Sequence, residues 1–353
     1  MLTPFTRRLL AIHIAAALCL LAAPALAEPI QWVTVGDPGN TADTTGNPNP
    51  AGAVATSFQI MKYEFTNQQY TDFLTSVATT DTYSLYNASM GSDVLGGITQ
   101  SGTSGAYTYA VRSNMGDKPV NFVSWFDAAR VSNWLMNGAT SSSSTETGAY
   151  TLGGATSGNA PAVNLGATFY IPTEDQWYKA AYYKGGSTNA GYWNYATQSD
   201  LDPTAVTAGV TGIGSAGSTG NFANYDAAAV WIGPGEFTTV GTNGGPSAYG
   251  TFDMSGNVYE WNDLTGAIST ARGGGYLSSP SDLSSSDRTT LAPSVELDGF
   301  GFRLASVVAV PEPSTWVMAA GGLACAGWGA WRRHARRSRL PLRMLTSRSG
   351  GAS

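Results

Sequence analysis

Three stretches of the chain carry apolar residues at helical spacing, and each is opened by a polar start signal. Thr66-Asn67-Gln68-Gln69 has the form of a capping box, in which a hydroxyl and a side-chain amide three residues later satisfy exposed backbone N–H groups. Tyr70, Phe73, Leu74 and Val77 then recur on one face. Ser124-Trp125-Phe126-Asp127 opens a second helix, with Trp125, Ala128, Ala129, Ser132 and Leu135 on one face and Asn137-Gly138 as the stop. Thr173-Glu174-Asp175-Gln176 opens a third, with Trp177, Ala180 and Ala181 inward and Gly185-Gly186 ending it. Acids in these first turns complement the positive end of the helix dipole. Short apolar or alternating runs predict strands at 58–63, 167–171, 251–254, 258–261 and 301–308. Three Gly/Ser/Thr-rich stretches without helical period, 35–56, 89–108 and 139–167, read as low-complexity insertions. Few helices, short strands and long loops give an α+β domain rather than a doubly wound sheet, without an internal linker or repeat.

The two ends follow a different pattern. Arg7 and Arg8 precede an apolar run from Leu9 to Leu21, and Ala25-Leu26-Ala27 fits the small-x-small cleavage rule, so residues 1–27 read as a secretory signal peptide. Near the other end, Pro311-Glu312-Pro313 (within 309–314) is followed by an apolar stretch at 315–331 and a basic tail at 332–353. The stretch reads as a minimal transmembrane helix, and its arginine cluster stays cytoplasmic by the positive-inside rule. This tail resembles the PEP-CTERM sorting signal of Gram-negative bacteria. The resemblance implies handling by the secretion machinery and an exosortase, transient membrane anchoring, and delivery to the cell surface or extracellular matrix, often alongside exopolysaccharide.

Composition changes meaning once the ends are set aside. The net charge of −6 includes nine arginines in the two terminal segments, so segment 28–314 carries 9 basic and 24 acidic residues, net −15. The two cysteines, Cys19 and Cys325, and the two histidines, His13 and His334, also lie in the ends. The exported body therefore has no disulfide, no cysteine nucleophile, no histidine triad, and no zinc, copper or iron site built on His or Cys. Its charge argues against nucleic acid as a partner. Oxygen chemistry remains, and it suits Ca²⁺.

Five separated blocks then line up: Met61 to Tyr70, Lys118 to Ala129, Ile171 to Trp177, Tyr249 to Trp261, and the pair Arg272-Gly273-Gly274 and Gly299-Phe300-Gly301-Phe302-Arg303. In order and spacing they resemble the formylglycine-generating enzyme, or sulfatase-modifying factor, family over a core of 60–306 within a domain at 28–308. The resemblance implies a variant of the C-type lectin fold. Read as residues alone, Trp125, Trp177 and Trp261 are core anchors, Gly273, Gly274 and Gly275 permit unusual backbone or close approach, and the scarce Arg272 and Arg303 pair with buried acids.

The resemblance also identifies what is missing. Active members use two copper-binding cysteines just after the Gly-Gly block; here those positions hold Ser278 and, nearby, Leu283, neither of them a soft ligand. The expectation is a non-catalytic module that either binds a surface ligand, such as an exported peptide or exopolysaccharide, or structures the matrix. The alternative is an enzyme, oxidoreductase or protein-modifying, with a mechanism relocated to Ser278, Asp282 or Arg303. Two calcium sites are implied by the resemblance. One takes the side chains of Asp253 and Glu260 with the carbonyls of Gly256 and Val258; its rival reading is a tight turn at Gly256-Asn257 with Glu260 bonded to backbone amides. The other starts at Asn224 and Tyr225, but its later acidic ligand has no clear match, since Ile232 to Phe237 departs from the family pattern, leaving Asp226 as a substitute. Gly212-Ile213-Gly214-Ser215-Ala216-Gly217 spells a dinucleotide fingerprint in a loop with no helix after it, so no such site is expected. Glu174/Asp175 and Asp282/Asp287 read as helix-cap or solvated pairs rather than acid–base machinery.

Overall fold

Each expected helix begins at its expected cap in the computed structural model, which describes residues 29–307 apart from 234–235 and 264–265. The helices are α1 (Asn67–Val77), α2 (Ser89–Ser92), α3 (Trp125–Met136) and α4 (Glu174–Tyr182). Thr66, Ser124 and Thr173 cap α1, α3 and α4, and all three form complete capping boxes. α1 buries Tyr70, Phe73 and Leu74. α3 is buried on every side from Trp125 to Trp134, more than one apolar stripe requires, so it runs through the core rather than over it. α4 stops at Tyr182, before the Gly185-Gly186 pair, because Tyr183 turns extended and pairs with Tyr192.

The strands in chain order are β1 (Trp32–Val35), β2 (Phe58–Met61), β3 (Ile98–Ser101), β4 (Thr108–Val111), β5 (Phe169–Tyr170), β6 (Thr204–Ala205), β7 (Phe222–Ala223), β8 (Tyr259–Asn262), β9 (Ser269–Arg272), β10 (Thr289–Leu291), β11 (Phe300–Gly301) and β12 (Ala305–Ser306). One sheet has the antiparallel order β1-β2-β12-β5; the other has the order β10-β9-β8-β11, with β11 parallel to β8. α3 packs against β5 and β8, which brings the two sheets onto one core. Trp125, Trp177 and Trp261 are fully buried there. The Trp261 indole donates to the Val123 carbonyl at 2.9 Å.

Two strand expectations change. Residues 251–254 form no strand: Asp253 takes a positive φ of 59° and turns the chain. The run at 301–308 is cut into β11 and β12, which join different sheets, with Arg303 buried between them. The three presumed insertions are also built into the fold. The 89–108 stretch holds α2, β3 and the start of β4, with Met90 and Ile98 buried. The 35–56 loop is closed by an Asp43–Ala51 bridge and buries Ala51 and Val54. The 139–167 loop is tied to α3 by an Arg130–Glu146 ion pair at 2.8 Å, and the Asn133 amide donates to the carbonyls of Thr145 at 2.7 Å and Tyr150 at 3.1 Å. Such ties cost less ordering entropy than their length implies, because each replaces water at a polar group that must be satisfied anyway.

Among the described residues no helix is long and apolar enough to cross a membrane. The leader at 1–27, the Pro-Glu-Pro segment at 309–314, the span expected at 315–331 and the basic tail lie outside the described residues.

Candidate functional site

β9 runs through Gly273 (φ 95°) and Gly274 (φ 72°) into a short 3-10 turn at Pro280–Leu283. A Cβ on Gly274 would lie 2.7 Å from the Leu283 side chain, so glycine is what lets this turn fold back on the strand. Leu283 is fully buried with Tyr195, Ala223 and Tyr225. Ser278 is half-buried; its hydroxyl accepts from the Gly275 N–H at 2.9 Å and donates to the Tyr259 hydroxyl at 3.3 Å. Asp282 caps the 3-10 turn, accepting from the Ser279 N–H at 2.8 Å and the Ser279 hydroxyl at 3.0 Å. Arg303 forks onto Glu260 with two contacts of 2.6 Å and gives its other donors to the carbonyls of Met61 at 3.1 Å and Phe252 at 2.8 Å. Ser278, Asp282 and Arg303 share no hydrogen bond among the described residues; Asp282 acts on Tyr259, the partner of Ser278, only through its charge, and Arg303 is engaged by Glu260.

The two turns expected to hold calcium are brought side by side. Asn224 bridges Gly256, and the Asn257 N–H donates to the Asn224 carbonyl at 2.8 Å. Gly256 (φ 91°) permits this approach, since a Cβ there would fall 2.3 Å from that carbonyl oxygen. Asn257 then links a buried polar network. Its amide donates to Glu64 Oε2 at 3.0 Å; its oxygen accepts from the Asn224 amide and the Thr238 N–H, both at 3.0 Å. The Thr238 hydroxyl donates to Asn243 at 2.6 Å, and Asn243 donates to Asp253 Oδ1 at 2.9 Å. The Gly241 N–H donates to the other Asp253 oxygen at 2.5 Å.

Glu260 and Asp253 each have protein donors in this arrangement. Both Glu260 oxygens receive the Arg303 guanidinium, and Oε2 also accepts from the Trp177 indole at 2.7 Å. A dication would compete there with a fixed positive charge. The rival reading, with Glu260 on backbone amides, differs too: its partners are side chains. Burial, then the carboxylates of Asp253 and Glu260, push Glu64 well above the usual carboxylate range, against Arg303 and the Asn257 amide. Burial likewise raises Asp253, opposed by Gly241, Asn243 and Arg303.

Three side-chain oxygens of this network, Glu64 Oε1, Asn224 Oδ1 and Glu236 Oε1, are buried without a donor among the described residues. The Asn224 amide reaches the Glu236 carbonyl at 2.7 Å. Neutral and anionic oxygens without donors are the ligand type Ca²⁺ takes. Tyr225 is buried, with its hydroxyl donating to Pro203 at 2.6 Å, and Asp226 is exposed. Val258 packs against Phe237 and Tyr276. Sequence reasoning missed Glu64 and Glu236. Glu64 was visible as the lone acid inside the Met61 to Tyr70 block. Glu236 lies inside the stretch set aside as unmatched, and as its single acid it was the available signal.

Comparison with known proteins gives the same architecture. The PEP-CTERM protein-sorting motif matches residues 309–334, which marks the chain for exosortase-linked export to the cell envelope. No curated protein matches the sequence. Among solved structures the chain is similar to CarF, at 21% identity and a TM-score of 0.50, covering 80% of this chain and 99% of CarF. It is also similar to Treponema denticola variable protein 1, at 20% identity and a TM-score of 0.48, covering 80% and 98%. A third, PvdO from Pseudomonas aeruginosa, gives 18% identity and a TM-score of 0.40, covering 79% and 92%. The likeness to CarF is one of fold. Residues 29–308 match the sulfatase-modifying factor enzyme 1-like domain, so the chain belongs to that family.

Proposed function

We propose that the chain is an exported binding module of the cell envelope that uses the formylglycine-generating-enzyme fold without its oxidase chemistry. One observation carries the reading. Where the family resemblance asks for the second copper cysteine, a fully buried leucine fills an apolar cluster, and the first position holds a serine engaged by Gly275 and Tyr259. Thiolate is what a copper site of this kind needs, and the body supplies no cysteine and no histidine in its place. Calcium is the structural cation of this reading, held by the side-chain oxygens of Asn224 and Glu236, and it braces the turn opposite Gly256 rather than performing chemistry. The sorting motif supports a partner outside the cytoplasm.

The test is incubation of the purified full chain with copper and a cysteine-containing sulfatase peptide. The expected result is no aldehyde product. Formation of the aldehyde above a copper-only control overturns the reading.

A further inference from the structure

Two loops almost 150 residues apart in sequence meet over a cleft of about 280 Å³, at the small end of the roughly 300–1,000 Å³ range of ligand sites. One wall is the turn Thr41 to Thr45, the other the segment Asn189 to Asn194. The walls are joined rigidly. The Thr41 N–H donates to Thr188, the Thr41 hydroxyl donates to Asn189 Oδ1 at 2.5 Å, and the Tyr192 hydroxyl bonds the carbonyls of Thr41 and Gly52. Asp43 is fixed between the Thr45 N–H at 2.8 Å and the Tyr178 hydroxyl at 2.8 Å. A site held this firmly orders little on binding.

The chemistry of the lining is specific in what it lacks. No lysine or arginine lines it directly, although Lys184 lies 4.0 Å over the Trp193 ring, and its one carboxylate, Asp43, repels a phosphate or carboxylate. Apart from Tyr192 and Trp193, its side chains are mostly hydroxyls and amides, so a purely apolar ligand has little to bury. What it offers is one indole plate, Trp193, beside hydrogen-bonding groups of both kinds. Thr44 Oγ1, the Asn189 side-chain nitrogen, Asn194 Oδ1 and the Trp193 indole N–H have no hydrogen-bond partner among the described residues, whereas the Trp193 backbone N–H donates to the Tyr182 carbonyl at 2.8 Å. A sugar ring has the matching pattern: an apolar C–H face for the aromatic plate, and hydroxyls that both donate and accept.

We propose that this cleft binds a neutral carbohydrate, with a sugar ring against Trp193 and its hydroxyls bonded to Thr44, Asn189 and Asn194. The assignment rests on reading the chain as a binding module, and it names that module's ligand class. Asp43 supports it further. Burial pushes its carboxyl up, but hydrogen bonds from Thr45, Tyr178 and Gly46 outweigh this and hold it below the ordinary value, so the cleft keeps a negative charge that repels anionic ligands. The net charge of −15 in the surrounding body adds to the bias against acidic polymers.

The experiment titrates the purified full chain with neutral oligosaccharides (glucan, galactan and chitin series) and with acidic ones (alginate series), read by calorimetry and indole fluorescence. Binding of a neutral series, weakened at least tenfold by Trp193→Ala and severalfold by Asn189→Ala, supports the cleft. Trp193 is half-buried under Lys184, which lies 4.0 Å over its ring, so the Trp193 variant can disturb packing. Asn189 and Thr44 are exposed, and Asn189→Ala and Thr44→Val keep the test sound with an unchanged melting temperature. Binding of the acidic series alone, binding unaffected by Asn189→Ala and Thr44→Val together, or no binding at all overturns it. The aldehyde assay is separate: a chain that makes no aldehyde and binds no sugar sinks the cleft and leaves the binding-module reading standing.

Discussion

Glu260 and Arg303 show how a scarce cation is used in this molecule. Both side chains are fully buried, and the two contacts of 2.6 Å with the Trp177 bond satisfy the carboxylate completely. Removing one partner leaves a charge in the core without compensation, which costs about 3–5 kcal/mol, whereas replacing both with apolar groups of similar volume is far milder. Arg303→Met is therefore expected to lose about that much stability in urea denaturation, and Arg303→Met with Glu260→Leu to recover part of it. A double variant as unstable as the sum of the singles would show that the pair is not the interaction at stake. Asp127 is a different case. Burial, then Glu296, raise its carboxyl to about 7 despite two hydrogen bonds from Ser124 and the charge of Arg130. Its folded value lies above its unfolded one, so its contribution is full below about pH 4 and is lost as pH rises through about 7. Melting temperature should fall across that window, and Asp127→Asn should flatten the fall. An unchanged slope in the variant would place the titration elsewhere.

At the scale of elements, the three long helices were legible because their starts are local. A hydroxyl and its partner three residues on need nothing from the rest of the chain. Thr173→Ala removes the acceptor for the Gln176 N–H at the start of α4 and should cost about 1 kcal/mol, read from the shift of the urea midpoint at unchanged slope. If the cost is absent, the Gln176 side chain on the Thr173 N–H, at 3.0 Å, suffices alone. The strands were less legible, since most are two to four residues long. β6, β7 and β11 are too short to show an alternating pattern, and β9 (Ser-Thr-Ala-Arg) is buried without being apolar. Its burial follows from the strands on either side, β8 and β10, and from the salt bridge of Arg272 to Glu174 at 2.8 Å. The Gly/Ser/Thr stretches misled for a related reason. Their order comes from amides and ion pairs of distant helices, such as Asn133 and Arg130, and no periodicity records that.

At the scale of the whole molecule, the site is a meeting of segments remote in sequence: Glu64 after β2, Asn224 after β7, Glu236 and Thr238, the turn from Asp253 to Asn257, and Arg303. Reading blocks in order recovered Asn224, Asp253 and the arginine, with Glu260 beside them. It could not tell that Glu260 turns to Arg303 while Asn224 and Glu236 keep oxygens without donors, because partner choice depends on which side of β8 each group reaches. The calcium proposed above would act on global stability. An ion bound only by the folded chain stabilises it by about 2.7 kcal/mol at a hundred times its dissociation constant, and buried oxygens left without it bear their desolvation unaided. A chelator should therefore lower the melting temperature of the whole domain cooperatively, and Ca²⁺ should restore it. Glu236→Gln should be destabilised to near the chelated level and respond to neither reagent, while Glu260→Gln, destabilised through Arg303, should keep the response. If Glu236→Gln still answers the chelator and Glu260→Gln does not, the cation belongs to the Asp253–Glu260 turn, and Arg303 must swing away from Glu260 when it binds.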